Sequence, residues 1–489
     1  MEDAVSTASE AADAEVASDS VSTAGLRGNM GVLELIFTVV AYNGPVVVFL
    51  GFIPICVLLG NGVGTPVAFL VCGVIVTMLA VGLLTMSARL KKPGGFYALI
   101  TAGLGRVAGL GSGFAALTCY FMSLLGAYAL GGMAFNAAVV NVFHGPQAPW
   151  WVWAVLMLVV TSVLGHFNIS FSSRVLTVFL ACELLLMIAY DISVLAKGGA
   201  HGIGFDSFTP GQAFSGSISI AFLFGIGLFG GFEATVIFRD EVRRPERTIP
   251  VATYGVVALL AVVYAVTAWC FINSYGAAAV IDAVSKNPLG ASTDSIQQYT
   301  GQFAYDAATI MLFTSSFALA LAAHNITARY LFNLGADGIL PRRFGQAHER
   351  HVSPHRASFA LSAATLLVLV GFVIAQVPET SLYARLAGLY SYAFVILLVL
   401  VSLAVGVFLL RDRAHGKATG QAVASLMAFA ILCVMLFLAT ENFTLLSGAT
   451  GAMKDVLIIA IWGVTLAGGG LAFYLKRKRP GVYNSIGRQ

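Results

Sequence analysis

The sequence predicts an all-α integral membrane protein of about twelve transmembrane helices, and three observations carry that prediction. The chain of 489 residues is 58% hydrophobic and only 10% charged, with a mean hydropathy of +0.87. Ordinary soluble domains carry roughly 25% charge. Apolar stretches long enough to cross roughly 30 Å of hydrocarbon, which takes about 20 residues in a helix, recur along the whole chain. The basic residues fall almost entirely on alternate loops.

The stretches lie near 31–59, 65–88, 110–141, 150–165, 170–196, 215–241, 249–272, 303–331, 356–377, 383–410, 421–440 and 453–475. The fourth is short and rests on the Trp150, Trp151 and Trp153 cluster, which suits a membrane–water interface. Residues 1–29 differ from all that follows. Glu2, Asp3, Glu10, Asp13, Glu15 and Asp19 stand in Met1 to Ser22 without a base or an apolar run. That composition reads as a disordered, acidic cytoplasmic tail rather than a signal peptide. Residues 30–477 form one membrane domain, and 478–489 a cytoplasmic C-terminal tail.

Orientation follows from the bases. With the N-terminus inside, 23 of the 27 lysines and arginines fall on inner ends and loops; Lys197, Lys286, Arg385 and Lys454 alone face outward. This is the positive-inside pattern, and one miscounted helix in the middle would scramble it. The chain is expected in the cytoplasmic membrane with both termini cytoplasmic. The six cysteines lie inside apolar runs at no metal-ligand spacing, so they read as small buried hydrophobes.

Two helices carry interruptions. The first span has Gly44-Pro45 at its middle, and the sixth has Gly225, Gly227, Gly230 and Gly231 just before Glu233. Proline lacks an N–H and glycine lowers the cost of leaving the helix. Broken backbone within a bilayer is tolerated only where it faces protein or a wet cavity. A single break is most simply a kink. Two breaks five spans apart are the sign of an inverted-repeat transporter with its substrate site between them.

The stretch GFEATVIFRDEVRRPERTIPVAT (Gly231 to Thr253) closely resembles the sixth helix and following loop of the amino acid–polyamine–organocation superfamily. KKPGGFYALITAGLGRVAG (Lys91 to Gly109) and ARYLFNLGADGILPRRFGQAHERHVSP (Ala328 to Pro354) are similar to two further segments of that family. Glu241, Pro245 and Pro250 form the most specific portion, and the resemblance extends from Gly31 to Lys476. It implies two five-helix inverted repeats with discontinuous helices 1 and 6, plus two further helices. It implies a secondary active transporter working by alternating access, and places cargo at Ala41, Tyr42, Asn43, Gly44 and Pro45, and at Phe229, Gly230, Gly231 and Phe232. Amino acid members usually carry Gly-x-Gly at the first break, whose bare N–H groups hold the substrate carboxylate. Here the segment is Ala41-Tyr42-Asn43-Gly44-Pro45, and some polyamine and amine importers also have a proline nearby. Amino acids and polyamines or other amines both stay open as cargo.

Ionisable groups at mid-span are costly and tend to have a task. Glu233 follows the sixth-helix break, where a coupling group and a structural cap are equally well served. Glu183 sits mid-span in the fifth helix, where interhelical glue is the plainer role. In some proton-coupled relatives of this resemblance a lysine on that helix replaces a sodium ion, and no lysine lies within this span. Residues Ala320 to His324 offer no hydroxyl for sodium, and Ser315 and Ser316 are expected two to three turns too far outward at about 1.5 Å per residue. Proton coupling through Glu233, with Glu183 second, is therefore the expectation. His324 reads as a satisfied interface histidine, and at least two of Tyr383, Tyr390 and Tyr392 as packing.

Other classes fit less well. A major-facilitator transporter usually carries an acidic turn after its second span and a long central loop, and neither is present. An enzyme would need clustered catalytic or metal-binding groups; His348, His351 and His355 lie in a basic loop with no carboxylate at metalloprotease spacing. A nutrient sensor could share the whole fold. No cofactor, metal or nucleic-acid partner is expected, only a small amino acid or amine, protons and the bilayer.

Overall fold

The computed structural model describes residues 30–90, 95–167, 173–237, 239, 242–346, 348, 353–412 and 418–487. The acidic tail 1–29, Lys91 to Gly94, Glu241 and His351 lie outside them. Among the described residues nine helices are each long and apolar enough to cross a membrane: Thr65–Leu90, Arg106–Ala137, Ser173–Lys197, Pro245–Tyr275, Gln302–Ala336, His355–Ile374, Glu379–Arg411, Thr419–Glu441 and Ala452–Lys478. A bent pair, Val32–Asn43 with Pro45–Leu59, supplies the first span. Two shorter apolar helices, Trp150–His166 and Ile218–Gly227, complete the expected order as the fourth and sixth. The architecture is all-helical and multi-pass, with interruptions where the sequence placed them.

The two five-helix halves show their kinship in one local device. The helix Phe96–Leu104 ends at Gly105 (φ 89°, ψ 171°), from which the 32-residue third span starts. The helix Ala291–Thr300 ends at Gly301 (φ 98°, ψ 178°), from which the 35-residue eighth span starts. Left-handed φ at both corners is glycine's region. Five spans separate the two corners, so they lie at opposite ends of the bundle, as an inverted repeat requires.

The third span is the axis of the molecule and packs against the fourth, eighth, tenth and twelfth. Small residues permit this closeness. Its Gly132 faces the Trp150 carbonyl, and Gly103 of the preceding short helix lies against the Ala404 backbone of the tenth span. Interfaces of this kind in lipid gain from packing and not from a hydrophobic drive between helices. At the arginine-rich end, Arg243 N–H donates to Met30 O at 3.0 Å, which ties the entry of the first span to the loop after the sixth.

The chain beyond the twelfth span turns back on the bundle. The helix Pro480–Ser485 sits beside the short helix Phe96–Leu104, with Ile486 buried, Gly487 N–H donating to the Tyr97 hydroxyl at 3.0 Å and Arg106 donating to Asn484 at 3.0 Å.

A Cβ at Gly103 would fall 2.3 Å from the Ala404 oxygen, whereas one at Gly470 meets nothing within 4 Å. Gly103→Leu is expected to lower stability by about 1–3 kcal/mol, read as a lower midpoint of thermal unfolding in detergent. Gly470→Leu should unfold with the wild type.

Candidate functional site

The first break is built by Gly44. Its φ of 53° and ψ of 83° end one helix, and Pro45 opens the next, with the two arms bent by 41°. Pro45 has no N–H to satisfy. The Val46 N–H donates to Oε2 of Glu183, 137 residues away on the fifth span, at 3.1 Å. Ser315 of the eighth span closes the third side, since a Cβ on Gly44 would lie 2.5 Å from its Oγ. Glu183, Val46, Gly44 and Ser315 thus meet at one point, and Glu183 and Ser315 are each only 5% exposed. Placing Ser315 here corrects the expectation that it stands several turns too far outward.

The second break runs from Leu228 to Glu233 as successive tight turns. Phe229, Gly230, Phe232 and Ala234 N–H groups donate to the carbonyls three residues before them, and Gly231 takes φ 90°. The Tyr390 hydroxyl of the tenth span donates to Gly227 O at 3.2 Å. Glu233 is 3% exposed; its Oε1 accepts from Tyr120 of the third span at 2.9 Å, and Oε2 has no partner among the described residues.

Between the breaks lies a cavity of about 40 Å³ bordered by Asn43, Ser123, Gly227, Leu228, Tyr383 and Tyr390. Among the residues expected around cargo, Asn43 borders it directly, whereas Gly44 and Pro45 do not line it and Val47 and Val48 do. The side chains of Ala41 and Tyr42 lie outside the described residues. Phe229 packs near Gly73 of the second span, Phe232 faces Phe96 at 6.4 Å between ring centres, and Gly230 abuts the Tyr390 hydroxyl. The sixth-span border is therefore Gly227 and Leu228, one turn earlier than the sequence suggested.

Two tyrosines were undervalued by the packing argument. Tyr383 presents a buried hydroxyl with no partner among the described residues, and Tyr390 spans cavity and break. Tyr392 alone is packing, bonded to Thr440 and Trp462. His324 is buried with Nε2 2.8 Å from Ser358 Oγ, while its Nδ1 has no partner among the described residues, so it is only half satisfied. His348 and His355 gather with His166 at ring separations of 5.1–6.1 Å. No group of three or more described His, Cys, Asp or Glu side chains is arranged to hold a metal ion.

A second space of about 430 Å³ lies at the end of the bundle away from the arginine-rich loops. It continues the cavity along the third span, from Ala127 to Leu130 and beyond, and along the tenth, from Tyr383 to Glu379. Asp294 and Glu379 line it, and no lysine or arginine does among the described residues.

Paired helix breaks around one small, mainly apolar cavity, in a bundle of membrane-length helices, define a membrane carrier. The amino acid permease family model matches residues 39–480, and the chain belongs to that family. It is 24% identical over 360 residues to the low-affinity putrescine importer PlaP of Escherichia coli, covering 72% of this chain and 76% of that one. It is 23% identical over 310 residues to the human cystine/glutamate transporter (61% and 59%), and 22% identical over 375 residues to the aromatic amino acid transport protein AroP of Escherichia coli (72% and 76%).

Gly44→Ala would both force an alanine to positive φ, at about 1–2 kcal/mol, and displace the Ser315 hydroxyl. Uptake in proteoliposomes should fall by at least about tenfold with membrane expression retained. Wild-type uptake by this variant would separate the break from the transport site.

Proposed function

We propose that the chain is a secondary active transporter that moves an amino acid or a related amine across the cytoplasmic membrane by alternating access, coupled to protons. The observation that carries this reading is the small cavity between the two breaks. At about 40 Å³ it has room for roughly three ordered waters, less than any amino acid or diamine needs. Cargo must therefore enter when the broken spans move apart, with the 430 Å³ space as its approach.

Within that reading an amine without a carboxylate is favoured. A carboxylate bound at the first break would need free N–H donors. Pro45 has none, and the Val46 N–H is already held by Glu183. The approach carries Asp294 and Glu379 with no base, a field that gathers cations. The putrescine importer among the relatives agrees with this preference, and the amino acid carriers keep zwitterions in the test.

Coupling is assigned to the buried carboxylates. Glu183 stands ahead of Glu233, reversing the order the sequence suggested, because its bond to Val46 joins its protonation state to the backbone of the break. Glu233 is held by Tyr120 and comes second. The position of Ser315 beside Gly44 supplies a hydroxyl where a sodium ion could be held, so sodium is the competing driver.

Uptake of labelled putrescine, other amines and amino acids into proteoliposomes, with imposed proton or sodium gradients, tests this reading. A proton gradient should drive accumulation, and Glu183→Gln should keep exchange measurable while flattening the pH dependence of net uptake. Sodium-driven uptake indifferent to pH, or an unchanged pH profile in both Glu183→Gln and Glu233→Gln, would remove the coupling assignment.

The orientation has its own measurement. Ala200→Cys, in the loop after the fifth span, should react with an impermeant maleimide in intact cells. Gly481→Cys should react only after permeabilisation. The reverse pattern would invert the topology.

A further inference from the structure

A mainly apolar space lies outside the carrier cavity. It is a pocket of about 350 Å³ on the far side of the eighth span, between that helix and the third, fourth and fifth. Three aromatic rings form its wall: Phe135 meets Trp153 edge-on at 4.6 Å and Phe313 at 4.3 Å between ring centres. Trp153 is fixed by its indole N–H, which donates to Asn136 Oδ1 at 3.2 Å. The mouth is formed by Leu156, Val160 and Phe179, which are 49%, 40% and 44% exposed on the lateral surface of a membrane protein. The pocket thus opens sideways toward lipid.

Its floor is Glu183 beside Ser315. Among the described residues the lining holds this one carboxyl group and no lysine, arginine or histidine. An aromatic chamber entered from the bilayer with a single acid at its end has the complementarity of a lipophilic amine. The apolar body packs on the rings, and the ammonium reaches the carboxylate with support from the ring faces. We propose that this lateral pocket binds an organic amine with a compact aromatic or alkyl body, delivered through the membrane, whose ammonium pairs with Glu183. The site is separate from the cargo cavity, but its Glu183 also holds the Val46 N–H of the first break. An amine seated here competes with the Val46 N–H for that carboxylate and hinders rearrangement of the first break. Bound amine therefore acts as a non-competitive inhibitor.

The test uses the full chain in phosphatidylcholine nanodiscs, with 1-naphthylmethylamine and its neutral isostere 1-naphthylmethanol as probes. Equilibrium dialysis is corrected for partition into empty discs. The amine is expected to saturate one site per chain and to bind at least about tenfold more tightly than the alcohol. Glu183→Gln should bring the two probes level. Leu156→Trp, which fills the mouth without touching the break, should weaken both probes while leaving uptake of the carried solute at the wild-type rate and insensitive to the amine. Equal affinity for amine and alcohol in the wild type would overturn the proposal and mark the space as a seat for lipid chains. Wild-type binding by Leu156→Trp would also overturn it, and decides the matter should Glu183→Gln fail to fold. Binding is read without uptake, so a protein that binds the amine and carries nothing counts against the transport function alone.

Discussion

Hydrocarbon offers no hydrogen bonds, so every N–H and C=O released by a broken helix must find a partner inside the protein. The rest of this structure is arranged around that constraint. At the first break Pro45 brings no donor, and the Val46 N–H is taken by Glu183. At the second, tight turns return several donors to nearby carbonyls, and the Tyr390 hydroxyl adds a second donor to the Gly227 carbonyl that already accepts from Gly230. The groups that satisfy the breaks come from the fifth and tenth spans, which occupy corresponding places in the two halves. The breaks are held open by helices that are themselves whole.

This arrangement gives the carboxylates distinct characters. Glu183 is bound to backbone of the first break, whereas Glu233 is bound to a side chain of the axial third span. A change at Glu183 alters the number of partners available to the break. A change at Glu233 alters a contact between two helices. The same chemical group serves two mechanical positions, and the hydrogen-bond partner, not burial, separates them: both are at most 5% exposed.

Much of the fold was legible because hydropathy and turn residues act locally. The order of twelve spans, the breaks at Gly44 and around Gly231, and the family resemblance all arise from contiguous residues. The fourth span, expected near 150–165, is the helix Trp150–His166, whereas the sixth, expected near 215–241, keeps only 10 residues of regular helix before its break. What failed to show was register between distant helices. The eighth span has 35 residues, about 52 Å at 1.5 Å per residue, far longer than the hydrocarbon is thick. Counting turns from its arginine-rich end therefore misjudged the depth of Ser315. The partnership of Val46 with Glu183 crosses 137 positions and leaves no local trace. Tyr383 and Tyr390 could have been found from their polar tips on an otherwise apolar helix, had cavity lining been weighed above packing.

The returning C-terminus bears on how this protein can be handled at the bench. The family-matched region ends at 480, which makes that position an inviting place to trim the chain or fuse a reporter. Yet Ile486 is 2% exposed within a cluster formed by Tyr97, Leu110, Leu334 and Leu475, and Gly487 lies against Thr101. Cutting at Pro480 would bare that greasy patch to water, and a bulky domain joined directly after Gly487 would pry at it. A tag here needs a spacer, and a shortened chain trades convenience for stickiness.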